Sequence, residues 1–318
     1  MSLLVELLQV VLPVFLIIGA GYTALKTRFV SDAVIDPLVA YTIKAAVPCL
    51  LFMAMVRTDL GVAINPWVLS GFFVSATIVF FTAMSLARRI WKRRPGEAVT
   101  VGFAAFFPNA VMMGIPITER AFGGVALDAI FGIIAFHSMY NYFLGFVTME
   151  AVRRDSETVL AGLRKAFMTT FTNPLMVGLM LGMAVNLAEI PLPGIAADAL
   201  DMLAASAIPA ALFALGGVLT RYRLADQIGE ALMVSTLALV LQPALAWIVT
   251  GPILGLPLPF IQAAVIMSAM PTGINSYIFA SIYNRGVATA ASAVLLGTAL
   301  SAITITGWLA FLEWLAKG

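Results

Sequence analysis

Ala46-Val47-Pro48-Cys49-Leu50-Leu51-Phe52 returns later in the chain as Ala207-Ile208-Pro209-Ala210-Ala211-Leu212-Phe213, an offset of 161 residues (207 − 46). The same offset carries Pro13 and Gly21 onto Pro174 and Gly182. The polar breaks Pro108-Asn109 and Pro271-Thr272 lie 163 residues apart (271 − 108). With 16 prolines in the chain one match could be chance, but three in the same order at nearly one spacing indicate an internal repeat. Paired halves in a hydrophobic chain are the pattern of transporters that rock around a central site.

Hydrophobic residues make up 62% of the 318 and charged residues 11%. A soluble domain of this size has no means of hiding so much apolar surface, whereas a bilayer accepts about 20 apolar residues per helical crossing. Charges cluster between long uncharged runs such as Pro66 to Ala87 and Ala231 to Tyr283. The sequence therefore reads as an all-α polytopic membrane protein. Ten transmembrane helices are expected, at 3–25, 34–57, 66–87, 98–121, 125–149, 165–188, 195–219, 229–250, 259–282 and 287–314. Five per half is an odd number, so the two five-helix repeats enter the membrane from opposite sides and are inverted. Residues 1–151 form the first repeat, 152–164 a short charged cytoplasmic linker, and 165–318 the second repeat.

Loop charge orients the chain. Lys26, Arg28, Arg88, Arg89, Lys92, Arg93, Arg94, Arg153, Arg154, Arg164, Lys165, Arg221, Arg223 and Arg285 fall on one face; Arg57, Arg120 and Lys317 fall on the other. That asymmetry puts both termini on the non-cytoplasmic side of the inner (plasma) membrane. It assigns the basic loops to topology rather than to a ligand. The net charge of +2 is too small to suggest nucleic acid, and Cys49 is alone, so neither a disulfide nor a cysteine metal site is expected.

The fourth span contains Pro108-Asn109-Ala110-Val111-Met112-Met113-Gly114-Ile115-Pro116, and the ninth contains Pro271-Thr272-Gly273-Ile274-Asn275-Ser276-Tyr277. Proline removes a backbone donor and clashes with the preceding turn, while glycine permits unusual torsions. Both helices are expected to unwind near mid-membrane. Free N–H groups and the positive dipole end of a half-helix there suit a carboxylate. Asn109, Thr272, Asn275 and Ser276 add donors and acceptors, with Gly114 and Tyr277 alongside.

Two basic ionisable side chains fall deep in the spans, Lys44 and His137. Lys44 reads as a counter-charge for an anion or as a proton carrier, against the alternative of holding the bend at Pro48. His137, with Tyr140 and Asn141 a turn on, reads as a substrate or proton group, or as an interhelical hydrogen bond. No Asp or Glu lies plainly at the midplane, which favours an anionic substrate over a cation. No cofactor or metal site is expected, and coupling to H+ or Na+ stays open. Phosphate loops, His-Glu-x-x-His and Gly-x-Ser-x-Gly patterns are absent, so the chain reads as no enzyme. Small residues such as Gly178 and Gly182 suit either internal packing or a homodimer interface.

At these residues the chain resembles the auxin efflux carrier family, which includes bacterial malonate transporters. The matching pieces are Ala46-Val47-Pro48, Asn109 through Gly114-Ile115-Pro116, Asn173-Pro174 with Gly182, Ile208-Pro209 with Leu215-Gly216-Gly217, and Pro271 through Ile278-Phe279-Ala280 with Tyr283-Asn284. The resemblance implies a scaffold of helices one, two, six and seven, and a mobile unit containing crossed, broken helices four and nine with substrate beside the crossing. It does not extend to Lys44. The expected function is secondary active transport of small organic anions, carboxylates such as malonate, malate or auxin-like acids, by alternating access. The competing readings are a sodium-coupled organic-acid symporter resembling the bile acid symporters, and a passive anion channel or uniporter. The expected partners are a small-molecule organic anion and the lipid bilayer.

Overall fold

Backbone groups inside hydrocarbon must bond within their own segment, so the long uncharged runs fold as helices. The computed structural model describes residues 3–153, 172, 174–222 and 227–317. Among these it contains twelve helices: α1 (Leu3–Lys26), α2 (Asp32–Arg57), α3 (Leu60–Ile90), α4 (Pro95–Phe106), α5 (Ile115–Ala121), α6 (Gly124–Arg153), α7 (Pro174–Leu187), α8 (Gly194–Leu219), α9 (Ile228–Ile253), α10 (Leu258–Ser268), α11 (Ile274–Tyr283) and α12 (Val287–Lys317). Helices α1, α2, α3, α6, α8, α9 and α12 are long and apolar enough to cross a membrane, and α7 and α10 are shorter apolar helices. The expected spans 98–121 and 259–282 are each two helices, α4 with α5 and α10 with α11, divided at Pro108 and Pro271. The expected sixth span is described only from Thr172 and then Pro174. The linker 152–164 lies outside the described residues beyond Arg153, as do Asn173 and Arg223.

Large apolar side chains such as Leu16, Ile195, Met202 and Ile303 face outward, as lipid contact requires, while small residues let the helix backbones approach. A Cβ on Gly21 of α1 would strike the carbonyl of Phe213 in α8; a Cβ on Gly182 of α7 would strike the carbonyl of Phe52 in α2. The two contacts are one contact with its halves exchanged, since 182 − 21 and 213 − 52 are both 161. Gly216 against Ile18 and Gly178 against Pro48 tighten the same two interfaces. Gly178 and Gly182 thus serve internal packing.

Helix α2 is not regular throughout. Pro48 offers no N–H to the carbonyl one turn back, and Thr42–Ala46 widens into a π turn in which the Val47 N–H reaches the Thr42 carbonyl. Elsewhere, α3, α4, α6, α9, α11 and α12 share a core in which the rings of Phe103 and Phe279 stack 3.9 Å apart. At one end of that core the fully buried carboxylate of Glu230 accepts from Arg93 at 2.8 and 3.0 Å and from Thr289 at 2.5 Å. This ties α9 to α12 and to the loop before α4.

Candidate functional site

Helix α4 stops at Phe106, and α10 stops at Ser268. The freed segments meet back to back. Pro108 and Thr272 form an antiparallel bridge, in which the Asn109 N–H donates to the Pro271 carbonyl at 2.7 Å and the Gly273 N–H donates to the Phe107 carbonyl at 2.8 Å. The two breaks therefore satisfy each other's backbone, which is how irregular chain is tolerated at membrane depth. Gly273 eases this approach, since a Cβ there would lie 3.1 Å from the Pro108 carbonyl oxygen. Thr272 donates through its hydroxyl to the Ala104 carbonyl at 2.9 Å, and Ser276 to the Phe103 carbonyl at 3.4 Å. The Ala104 carbonyl is free because Pro108 brings no N–H to it, whereas the Phe103 carbonyl also accepts the Phe107 N–H at 3.2 Å.

Past the bridge each chain re-enters a helix. After Asn109 a π turn, Ala110–Gly114, leads into α5; Gly273 precedes the first turn of α11. The opening N–H groups of such turns have no carbonyl a turn earlier in their own helix. Here they border a cavity of about 510 Å³ lined by Pro108, Asn109, Ala110, Gly273, Ile274 and Asn275. His137 and Ser138 of α6 form the adjoining wall. The His137 ring is buried, with Nδ1 2.9 Å from the Ile134 carbonyl, Nε2 3.3 Å from the Ser138 hydroxyl, and its face edge-on to Phe107. The opposite wall is apolar and comes from α2, α7 and α8, through Val47, Leu179 and Leu215 among others.

The cavity reaches the surface where α2 begins and α8 ends. Asp36, Arg221 and Tyr222 line that mouth, and the ring of Tyr222 lies 5.1 Å from that of Tyr277. At the other side of the crossing, Arg120 at the end of α5 donates to the carbonyls of Gln9 at 2.8 Å and Val10 at 3.1 Å in α1. The Gln9 carbonyl is available because Pro13, four residues on, brings no N–H to it.

The residues singled out from the sequence separate into three groups. Pro108, Asn109, His137, Asn275 and Tyr277 line the cavity. Pro271, Thr272 and Ser276 stand behind it as the bridge and its props, and Gly114 packs on Met267 and Met270. Asn141 is fully buried outside the lining, and neither its amide nitrogen nor its amide oxygen has a hydrogen-bond partner among the described residues. Lys44 is exposed on the outer side of α2 and takes no part in the cavity. Asp36, Ser138, Arg221 and Tyr222 were missed. Nothing in sequence order joins Asp36 to Arg221, and Arg221 reads simply as one of the basic loop residues.

Residues 7–309 match the model of the family described as "Membrane transport protein". The chain is 24% identical over 309 residues to a Rhizobium meliloti (strain 1021) protein named "Putative malonate transporter", covering 96% of this chain and 95% of that one. It is 26% identical over 305 residues to an "Uncharacterized transporter" of Methanothermobacter thermautotrophicus, covering 94% and 96%. It is 22% identical to Auxin efflux carrier component 5 of Arabidopsis thaliana, covering 98% and 97%. With a family model spanning nearly its whole length, the chain belongs to the membrane transport protein family of the auxin efflux carriers, and is a multi-pass membrane transporter.

Proposed function

We propose that the chain is a secondary transporter of small organic anions, carboxylates of the size of malonate, malate or auxin-like acids, working by alternating access. The observation that carries this reading is the crossing itself. Two broken helices bring the N-terminal turns that follow Asn109 and Gly273 to one cavity. N–H groups and dipole ends there favour a carboxylate, Asn109 and Asn275 supply further donors, and the apolar far wall suits the carbon body. The names of two relatives, "Putative malonate transporter" and "Auxin efflux carrier component 5", point to the same chemistry.

Counting α4 with α5 and α10 with α11 as single broken crossings gives ten spans, in two inverted repeats of residues 1–151 and 165–318 joined by 152–164. The exchanged pair Gly21·Phe213 and Gly182·Phe52 supports that symmetry. Helices α1, α2, α7 and α8 act as the scaffold, and the remaining helices as the moving unit, with the cavity along their boundary. Both termini lie on the non-cytoplasmic side of the plasma membrane, a reading that the loop charges support, and the mouth at Asp36 and Arg221 then faces the cytoplasm. Arg120 on the α1 carbonyls then closes the outer side, and the conformation is inward-open.

A carrier and a channel differ in exchange. In proteoliposomes preloaded with unlabelled malonate, external labelled malonate accumulates transiently above equilibrium if the site alternates. Uptake with no stimulation by internal substrate would instead indicate a channel.

A further inference from the structure

Arg221 lies two residues beyond the end of α8, its N–H bonded to the Val218 carbonyl at 3.1 Å, so its backbone is anchored to the scaffold. Its guanidinium is only partly engaged. Nε and one Nη2 proton reach Asp32 at 3.1 and 2.8 Å, and Nη2 reaches Asp36 at 2.6 Å. Each carboxylate is bonded through a single oxygen, and the Nη1 protons have no partner among the described residues. The edge presented by Nη1 and Nη2 together is the one that takes a carboxylate bidentately, and Asp36 occupies half of it.

Solvent exposure makes this arrangement exchangeable. The side chain of Asp36 is 61% exposed and that of Arg221 38% exposed, and exposed ion pairs of this kind contribute little. Asp36 and Arg221 both line the cavity mouth, whereas Asp32 does not. Beside them the Tyr222 and Tyr277 rings form an apolar flank. Among the described lining residues, Arg221 is the one side chain with a permanent positive charge.

We propose that this mouth is a second, entry site for the transported anion, in which a substrate carboxylate displaces Asp36 and takes the Nη1–Nη2 edge of Arg221. One bond from Nη2 to Asp36 is given up and two to the substrate are formed. The ligand class is a carboxylate carried on a compact apolar body. Asp36 then acts as the placeholder that keeps Arg221 aimed into the cavity when no anion is present. This inference rests on the organic-anion reading given above.

The test is the concentration dependence of malonate transport from the cytoplasmic side, with tryptophan-fluorescence titration of the purified protein by malonate as a second readout. Arg221→Gln raises KM and the dissociation constant about tenfold, with kcat changed far less, because the crossing is untouched. Asp36→Asn frees the edge and lowers KM about threefold or more. In the double variant that gain disappears. Asp32→Asn is the control, since it removes the same charge without opening the edge, and it leaves KM within about twofold of wild type. Transport by wild type with KM unaltered in Arg221→Gln overturns the entry site and leaves the transport reading standing. Equal effects of Asp32→Asn and Asp36→Asn reduce the mouth to a general field and also overturn it. If wild type neither moves nor binds malonate, indole-3-acetate or malate, the organic-anion reading fails and the entry site falls with it.

Discussion

Replacing Arg120 by alanine tests whether the α5–α1 contact holds the outer side shut. The contact comprises two hydrogen bonds from a guanidinium to main-chain carbonyls, at 2.8 and 3.1 Å. A hydrogen bond to a charged group contributes about 1.5–3 kcal/mol net when buried, but Arg120 is exposed, so the pair together is worth about 1–2 kcal/mol. On the alternating-access reading proposed above, α5 leaves α1 in the outward-facing state, and the full amount then biases the inward-open one. Its loss shifts the inward-to-outward ratio by about 5–30-fold. The assay uses the single native cysteine as an advantage. In a Cys49→Ala background, a cysteine placed at the cavity-lining Met112 is labelled from the non-cytoplasmic side by a membrane-impermeant maleimide. Labelling should accelerate by about 5–30-fold in Arg120→Ala. Pro13→Ala should reproduce part of the effect by giving the Gln9 carbonyl an intrahelical donor. An unchanged labelling rate in folded Arg120→Ala protein would refute the latch.

Arg93→Ala leaves the fully buried Glu230 carboxylate with Thr289 as its one side-chain donor among the described residues, a loss of about 3–5 kcal/mol that should lower the apparent Tm in detergent by about 5–10 °C; an unchanged Tm would contradict the network's role. Gly182→Val drives side-chain atoms into the Phe52 carbonyl and should abolish the monodisperse peak in size-exclusion chromatography, as should Gly21→Val at the exchanged contact. Asn141→Leu removes two buried polar atoms that lack partners among the described residues, at similar volume, so the apparent Tm should rise. A lower Tm in that variant would mean that the Asn141 amide is satisfied in the working protein.

Much of the fold was legible because its devices are local or periodic. Uncharged runs mark helices, Pro108 and Pro271 mark the breaks, and the 161-residue offset marks the paired contacts later made by Gly21 and Gly182. The site was legible only as far as those breaks reach. Asn109, Asn275 and Tyr277 follow the prolines in sequence and reach the cavity, as does Pro108 itself. Thr272 and Ser276 sit in the same motif yet point at carbonyls of α4, because a broken helix needs props as well as ligands. Lys44 illustrates the remaining limit. Depth along a helix can be counted from sequence, but the direction of a side chain at a π turn cannot, and Lys44 faces away from the cavity. Arg221 and Asp36 come together by a tertiary approach between the ends of α2 and α8, for which sequence order holds no signal.

The most direct test of the carboxylate site at the crossing is potential-driven uptake of labelled malonate into proteoliposomes, comparing wild type, Asn109→Ala and Lys44→Ala. The account predicts saturable uptake in wild type, a loss of at least about tenfold in folded Asn109→Ala protein, and near wild-type kinetics in Lys44→Ala. Unchanged kinetics in Asn109→Ala, or a collapse confined to Lys44→Ala, would contradict it.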